Sequence, residues 1–101
     1  MDSKLRELIQ SVKNNFPVSD IFVFGSHARG DANPDSDIDL LVVFTEVNDD
    51  LFELAYQVRR FLHERSDLAL DVVVTTDEAF QQRCLQPWTV EYTARSEGIA
   101  V

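Results

Sequence analysis

Residues 25–44 read GSHARGDANPDSDIDLLVVF, and this stretch sets the expectations for the whole chain. Asp37 to Phe44 (DIDLLVVF) is an aliphatic run with two carboxylates at its head, the pattern of a buried strand. Gly25 ends a similar run, Asp20 to Phe24 (DIFVF), and marks a sharp turn after a strand. Between the two, Gly30, Asn33 and Pro34 are turn-formers, with room for one helical turn over Ser26 to Arg29. Period-two alternation puts Asp37, Asp39, Leu41 and Val43 on one side of the later strand and Ile38, Leu40, Val42 and Phe44 on the other. The Cα atoms of Asp37 and Asp39 then lie about 6.5–7 Å apart.

Outward from this segment the pattern alternates between helix and strand. Leu5, Leu8, Ile9, Val12 and Phe16 recur at helical spacing behind Asp2 and Ser3, either of which can cap, and Pro17 stops the helix. Asn48, Asp49 and Asp50 precede Leu51, Leu54, Ala55, Val58, Phe61 and Leu62, and Asp50 with Glu53 has the spacing of a capping box. Ala69 to Thr75 (ALDVVVT) predicts a third strand. Thr76 or Asp77 caps a short helix to about Leu85, and Pro87 starts another that ends near Gly98, with Trp88 and Tyr92 packing it on the core. The expected fold is α/β: one domain over residues 1–101, a small mixed β-sheet with helices on one face and the carboxylates on the other. If the terminal helices leave Leu41 and Val43 bare, an apolar strip beside the carboxylates becomes a docking surface.

Composition narrows the function. The 101 residues are 45% hydrophobic and 27% charged, the balance of one ordinary globular domain. A chain of this size buries roughly 60–70% of its unfolded surface, enough for one core without an enclosed substrate chamber, so any site is expected on an open surface. Nine Lys and Arg against eighteen Asp and Glu give a formal net charge of −9, which opposes direct nucleic-acid binding. No apolar stretch has the length of a membrane span, and Met1 to Gln10 is charged and amphipathic rather than a signal peptide. The one cysteine, Cys84, has no partner for an internal disulfide and is read as inert. A cytoplasmic location is expected.

Three features carry chemistry. An Asp-x-Asp at a strand head reads as a solvated loop end or as a pair of ion ligands, since carboxylates on a rigid strand converge on cations. Asp71 tips the balance, because it interrupts an apolar strand where an unpaired buried carboxylate is costly; the alternative is a strand-start residue one position into the sheet. Beside Asp37 and Asp39 it would make a cluster of three like charges that cations hold together. Gly25 lets backbone approach a ligand, and Ser26 adds a hydroxyl at the start of a short helix, a seat for phosphate. No GxxxxGK[ST] motif is present, so positive charge for a triphosphate comes from metal ions and from Arg29, unless Arg29 pairs with Asp31. His27 reads as a solvent-facing helix residue beside this seat, Ser36 as a loop end or a partner of the Asp37 region, and His63 as part of a solvated helix end.

Taken together, Gly25-Ser26, ten intervening residues, Asp37-Ile38-Asp39 and a later Asp71 resemble the nucleotidyltransferase superfamily of DNA polymerase beta. Residues 25–44 are similar to the signature of its minimal nucleotidyltransferases (MNT), the antitoxins of HEPN/MNT toxin–antitoxin pairs. The resemblance extends to LDVVV around Asp71 and to the terminal EGIAV. It implies that Gly25, Ser26 and Arg29 hold ATP, that Asp37, Asp39 and Asp71 hold two Mg²⁺ ions, and that Asp71 assists the attacking hydroxyl. Two ions in such a site stabilise the attacking and leaving oxygens of an in-line displacement. The implied reaction moves AMP from ATP to a tyrosine hydroxyl of a HEPN-domain toxin, releasing pyrophosphate and silencing the toxin. The alternatives are a non-catalytic antitoxin that covers its HEPN partner and an enzyme acting on a small molecule such as an aminoglycoside. Homo-oligomers and hetero-oligomers with the toxin both fit.

Overall fold

Ser3–Asn15 form the first helix, α1, because Leu5, Leu8, Ile9 and Val12 fall on one buried stripe and Pro17 disfavours helical backbone at Phe16. The computed structural model describes residues 3–33, 36–45 and 50–101. The remaining elements are β1 (Val18–Phe24), α2 (Ser26–Arg29), β2 (Ile38–Phe44), α3 (Leu51–His63), β3 (Leu70–Thr76), α4 (Asp77–Arg83), α5 (Val90–Glu97) and β4 (Ile99–Ala100). Asp50 caps α3 by accepting the Phe52 N–H at 2.8 Å. The reciprocal half of the expected capping box is not made, as Glu53 Oε1 accepts instead from Gln57 Nε2 one turn on. The readings of Asp2 as a cap, of Pro34 as a turn-former and of Asn48 and Asp49 as a lead-in fall outside the described residues.

The strands form one mixed sheet in the order β3-β2-β1-β4. β1 is antiparallel to both β2 and β4, while β2 and β3 are parallel and joined through α3, the long crossover that a parallel pair needs. Central β2 is apolar on both faces because both are covered. Ile38, Leu40, Val42 and Phe44 pack with the stripes of α1 and α3.

The opposite face corrects the expectation of helices on one side only. Leu41 and Val43 are wholly buried under α4 and α5, against Phe80, Val90 and Ala94, and Phe22 stacks on Phe80 at 5.3 Å. The condition for an apolar docking strip, that the terminal helices leave Leu41 and Val43 bare, is therefore not met. α5 also starts later than expected, at Val90, with Thr89 accepting the Tyr92 N–H at 3.1 Å. Pro87 and Trp88 are left in the turn before it, Trp88 is 81% exposed, and Glu91 and Ala94 face the sheet instead. Strand β4 is a further difference: two exposed residues carry no readable alternation, and pairing with the edge of β1 creates it.

Candidate active site

The end of β1 delivers a turn onto the head of β2. Phe24 lies opposite Asp39 in the antiparallel register, so the next residue, Gly25, sits beside the Asp39 side chain. Gly25 has φ 73° and ψ −153°, a region essentially reserved for glycine. A Cβ there would collide with the Asp39 carboxylate, so the absent side chain is also the space that carboxylate fills. The two halves of the sequence motif thus meet at Asp39.

The parallel register then adds the third carboxylate. Asp39 lies opposite Asp71 on β3, close enough for the negative charge of Asp71 to act on the Asp39 carboxylate. Partial burial, then the negative charges of Asp71 and Asp37, hold Asp39 above the ordinary carboxylate range, and His27 opposes them. Asp37 precedes the first residue of β2, is exposed, and reaches Asp39 by its charge. No three His, Cys, Asp or Glu side chains converge on one point among the described residues. The donor set nevertheless suits a hard divalent cation: Asp39 and Asp71 lie opposite each other on neighbouring strands, and a cation would offset the repulsion between their carboxylates.

Asp71 reaches this position by a route other than the one expected. It is exposed, one residue into an edge strand, so no burial penalty acts on it. Its register opposite Asp39 is what makes it part of the cluster.

Helix α2 begins at Ser26. The Gly25 carbonyl accepts from the Ala28 and Arg29 N–H groups, both at 3.1 Å, and Gly30 closes the turn at φ 82°, donating to the Ser26 carbonyl at 3.0 Å. Arg29 is directed at carboxylates: its Nε donates to Asp31 Oδ2 at 3.2 Å and its Nη1 to Glu97 Oε1 at 3.0 Å. His27 is half-buried, with Nε2 3.1 Å from the Ser36 carbonyl oxygen, which corrects its reading as a solvent-facing residue. Glu97 went unnoticed, since nothing local couples it to a residue 68 positions earlier.

A concavity of about 610 Å³ lies elsewhere, between α3 and β3, among Tyr56, Arg59, Leu62, His63, Leu70 and Val72. None of the carboxylate cluster lines it; that cluster stands at an open strand end.

Comparison with known proteins identifies the family and the fold. Residues 5–100 match the family described as nucleotidyltransferase domain. A protein of Methanocaldococcus jannaschii, provisionally named a protein adenylyltransferase, is 41% identical over 66 residues, 63% of this chain and 77% of that protein. The crystal structure of a provisionally assigned nucleotidyltransferase from Sulfolobus solfataricus superposes with a TM-score of 0.67 at 25% identity, covering 96% of this chain and 75% of that one. A mutant of the MntA–HpeT toxin–antitoxin pair shares the fold at 19% identity and a TM-score of 0.60, over 94% of this chain and 69% of that one.

Proposed function

The chain belongs to the nucleotidyltransferase domain family, and from that premise we propose that it transfers AMP from ATP to a tyrosine hydroxyl of a HEPN ribonuclease toxin, acting as the antitoxin of the pair. The observation that carries this reading is the meeting of the Gly25 turn, Asp39 and Asp71 at one strand end. The adenylyltransferase name of the M. jannaschii relative supports the reaction, and the toxin–antitoxin setting of a structure with the same fold supports the partner.

In this reading Gly25 and Ser26 receive the phosphates, and Asp37, Asp39 and Asp71 are the residues that would hold Mg²⁺. When bound, the divalent cation supplies positive charge to the nucleotide phosphates and to the departing pyrophosphate. The acceptor oxygen forms a bond to the α-phosphorus as the bond from that phosphorus to the bridging oxygen breaks. Pyrophosphate leaves, and the hydroxyl proton passes to an Asp71 carboxylate oxygen. The acceptor approaches from the strand heads, because α4 and α5 close the other end of this face over Leu41 and Val43.

The test is mass spectrometry of the toxin after incubation with this protein, ATP and Mg²⁺. A mass increase of one or more adenylate units, lost in Asp39→Asn, is expected. Inhibition of the toxin with no change in its mass would replace transfer by simple covering.

A further inference from the structure

We propose that His27 and Arg29 are positioning residues that hold the Gly25–Ser26 turn over Asp39 from two sides, Arg29 acting through Glu97 of α5. The inference rests on the reading of that turn as the nucleotide seat and adds what keeps it in place.

α2 has four residues and no buried side chain. One helical turn has little stability of its own, because its nucleus fixes several residues for very few hydrogen bonds. Its position must come from ties to the rest of the molecule, and two of its four side chains make them. His27 reaches the Ser36 carbonyl, immediately before Asp37, with Nε2 carrying the hydrogen as that acceptor requires. This tie links the turn to the loop that enters β2. On the far side, Arg29 reaches Glu97, the last residue of α5.

Glu97 is a fixed post. Ala94, one turn earlier, is fully buried against the sheet, and Gly98 donates to the Ala94 carbonyl at 2.8 Å. A Cβ at Gly98 would collide with that same carbonyl, so helix and chain reversal are packed too closely for a side chain. β4 then pairs with β1, the strand that ends in Gly25. The C-terminal unit thus grips β1 by its backbone and α2 by the Glu97–Arg29 pair. With Asp31 and Glu97 both on its guanidinium, Arg29 is engaged as a strut.

Two roles for Arg29 give opposite signs at Glu97. A strut loses its anchor in Glu97→Gln, so affinity for ATP with Mg²⁺ falls. A phosphate ligand is released from a competing carboxylate by the same change, so affinity rises. Isothermal titration of the full chain with ATP and Mg²⁺, alongside melting curves, separates them. We expect Glu97→Gln to weaken binding about 2–5-fold, the scale of a partly exposed ion pair, with the melting temperature nearly unchanged. The Arg29→Gln/Glu97→Gln double variant should bind no worse than Arg29→Gln alone. His27→Ala should show a comparable loss, and His27→Gln, which keeps a donor, should recover part of it. Unchanged or tighter binding in Glu97→Gln, or additive losses in the double variant, would overturn the proposal. Absence of ATP binding by the unaltered protein would instead overturn the proposed function, and the inference with it.

Discussion

Gly25→Ala is the substitution that tests the site's construction most directly. The backbone at this position, φ 73° and ψ −153°, lies in a region that side chains rarely enter, and holding a residue there costs about 1–3 kcal/mol. For a domain of this size 1 kcal/mol corresponds to about 4–8 °C in melting temperature, so a fall of about 4–24 °C is expected. A second effect falls on Asp39, whose carboxylate must turn away from the new methyl group and so leave its place beside Asp71. The two effects separate in a double-variant cycle. In an Asp39→Ala background the collision is gone and only backbone strain remains, so Gly25→Ala should cost less there than in the unaltered protein. Thermal melting of the four proteins without nucleotide gives the cycle, and adenylate transfer gives the functional half. Gly25→Ala should lose transfer even at temperatures where it is fully folded. If Gly25→Ala melts and transfers like the unaltered protein, or costs the same in both backgrounds, the contact between turn and carboxylate does not matter as argued.

Asp39→Asn should abolish transfer yet raise the melting temperature of the metal-free protein at neutral pH by roughly 1–8 °C, the scale of relieving like charges across neighbouring strands. The sign follows from linkage: burial, Asp71 and Asp37 raise Asp39 in the folded state, so the folded chain holds that proton more tightly. The associated stability is present at acid pH and lost as pH rises through the folded value, so the gain of Asp39→Asn over the unaltered protein should grow with pH in melting curves. Asp71→Asn should retain more affinity for ATP with Mg²⁺ than Asp37→Asn while losing turnover by orders of magnitude, measured by calorimetry and single-turnover transfer. Equal loss of affinity would make Asp71 simply another cation ligand. Leu41→Ala should destabilise by about 2–5 kcal/mol in chemical denaturation, as a cavity in a closed core does, whereas a surface docking residue would leave stability untouched.

The candidate site was legible where it depends on strand alternation and illegible where it depends on register and long reach. Alternation along DIDLLVVF put Asp39 on the face with Leu41 and Val43, and the stop at Gly25 put a turn next to it. That Asp71 stands opposite Asp39 required the parallel register of β2 and β3, which a sequence states only as a strand of suitable length. The cost of a buried charge does not act on Asp71, because β3 is an edge strand and the residue is exposed one position into it, as the strand-start alternative has it. His27 and Glu97 carry no local signal at all: one makes its bond across nine residues and the other across sixty-eight.

The fold errors share one cause, which is that periodicity tells a residue's face and not what covers it. Leu41 and Val43 were placed on the carboxylate side correctly, yet whether α4 and α5 reach them depends on where α5 begins. A start at Pro87 points Trp88 inward and makes an aromatic the expected cover. Thr89 sets the start instead, through its hydroxyl, which donates to the Arg83 carbonyl at 2.7 Å and accepts from the Tyr92 N–H. That one cap turns Ala94 toward the sheet and leaves Trp88 outside. A small residue at the contact lets α5 lie close over Leu41 and Val43, and the same closeness brings Glu97, one turn further on, within reach of Arg29. Covering the apolar half of this face and bracing the turn at its acidic end are therefore consequences of a single helix start.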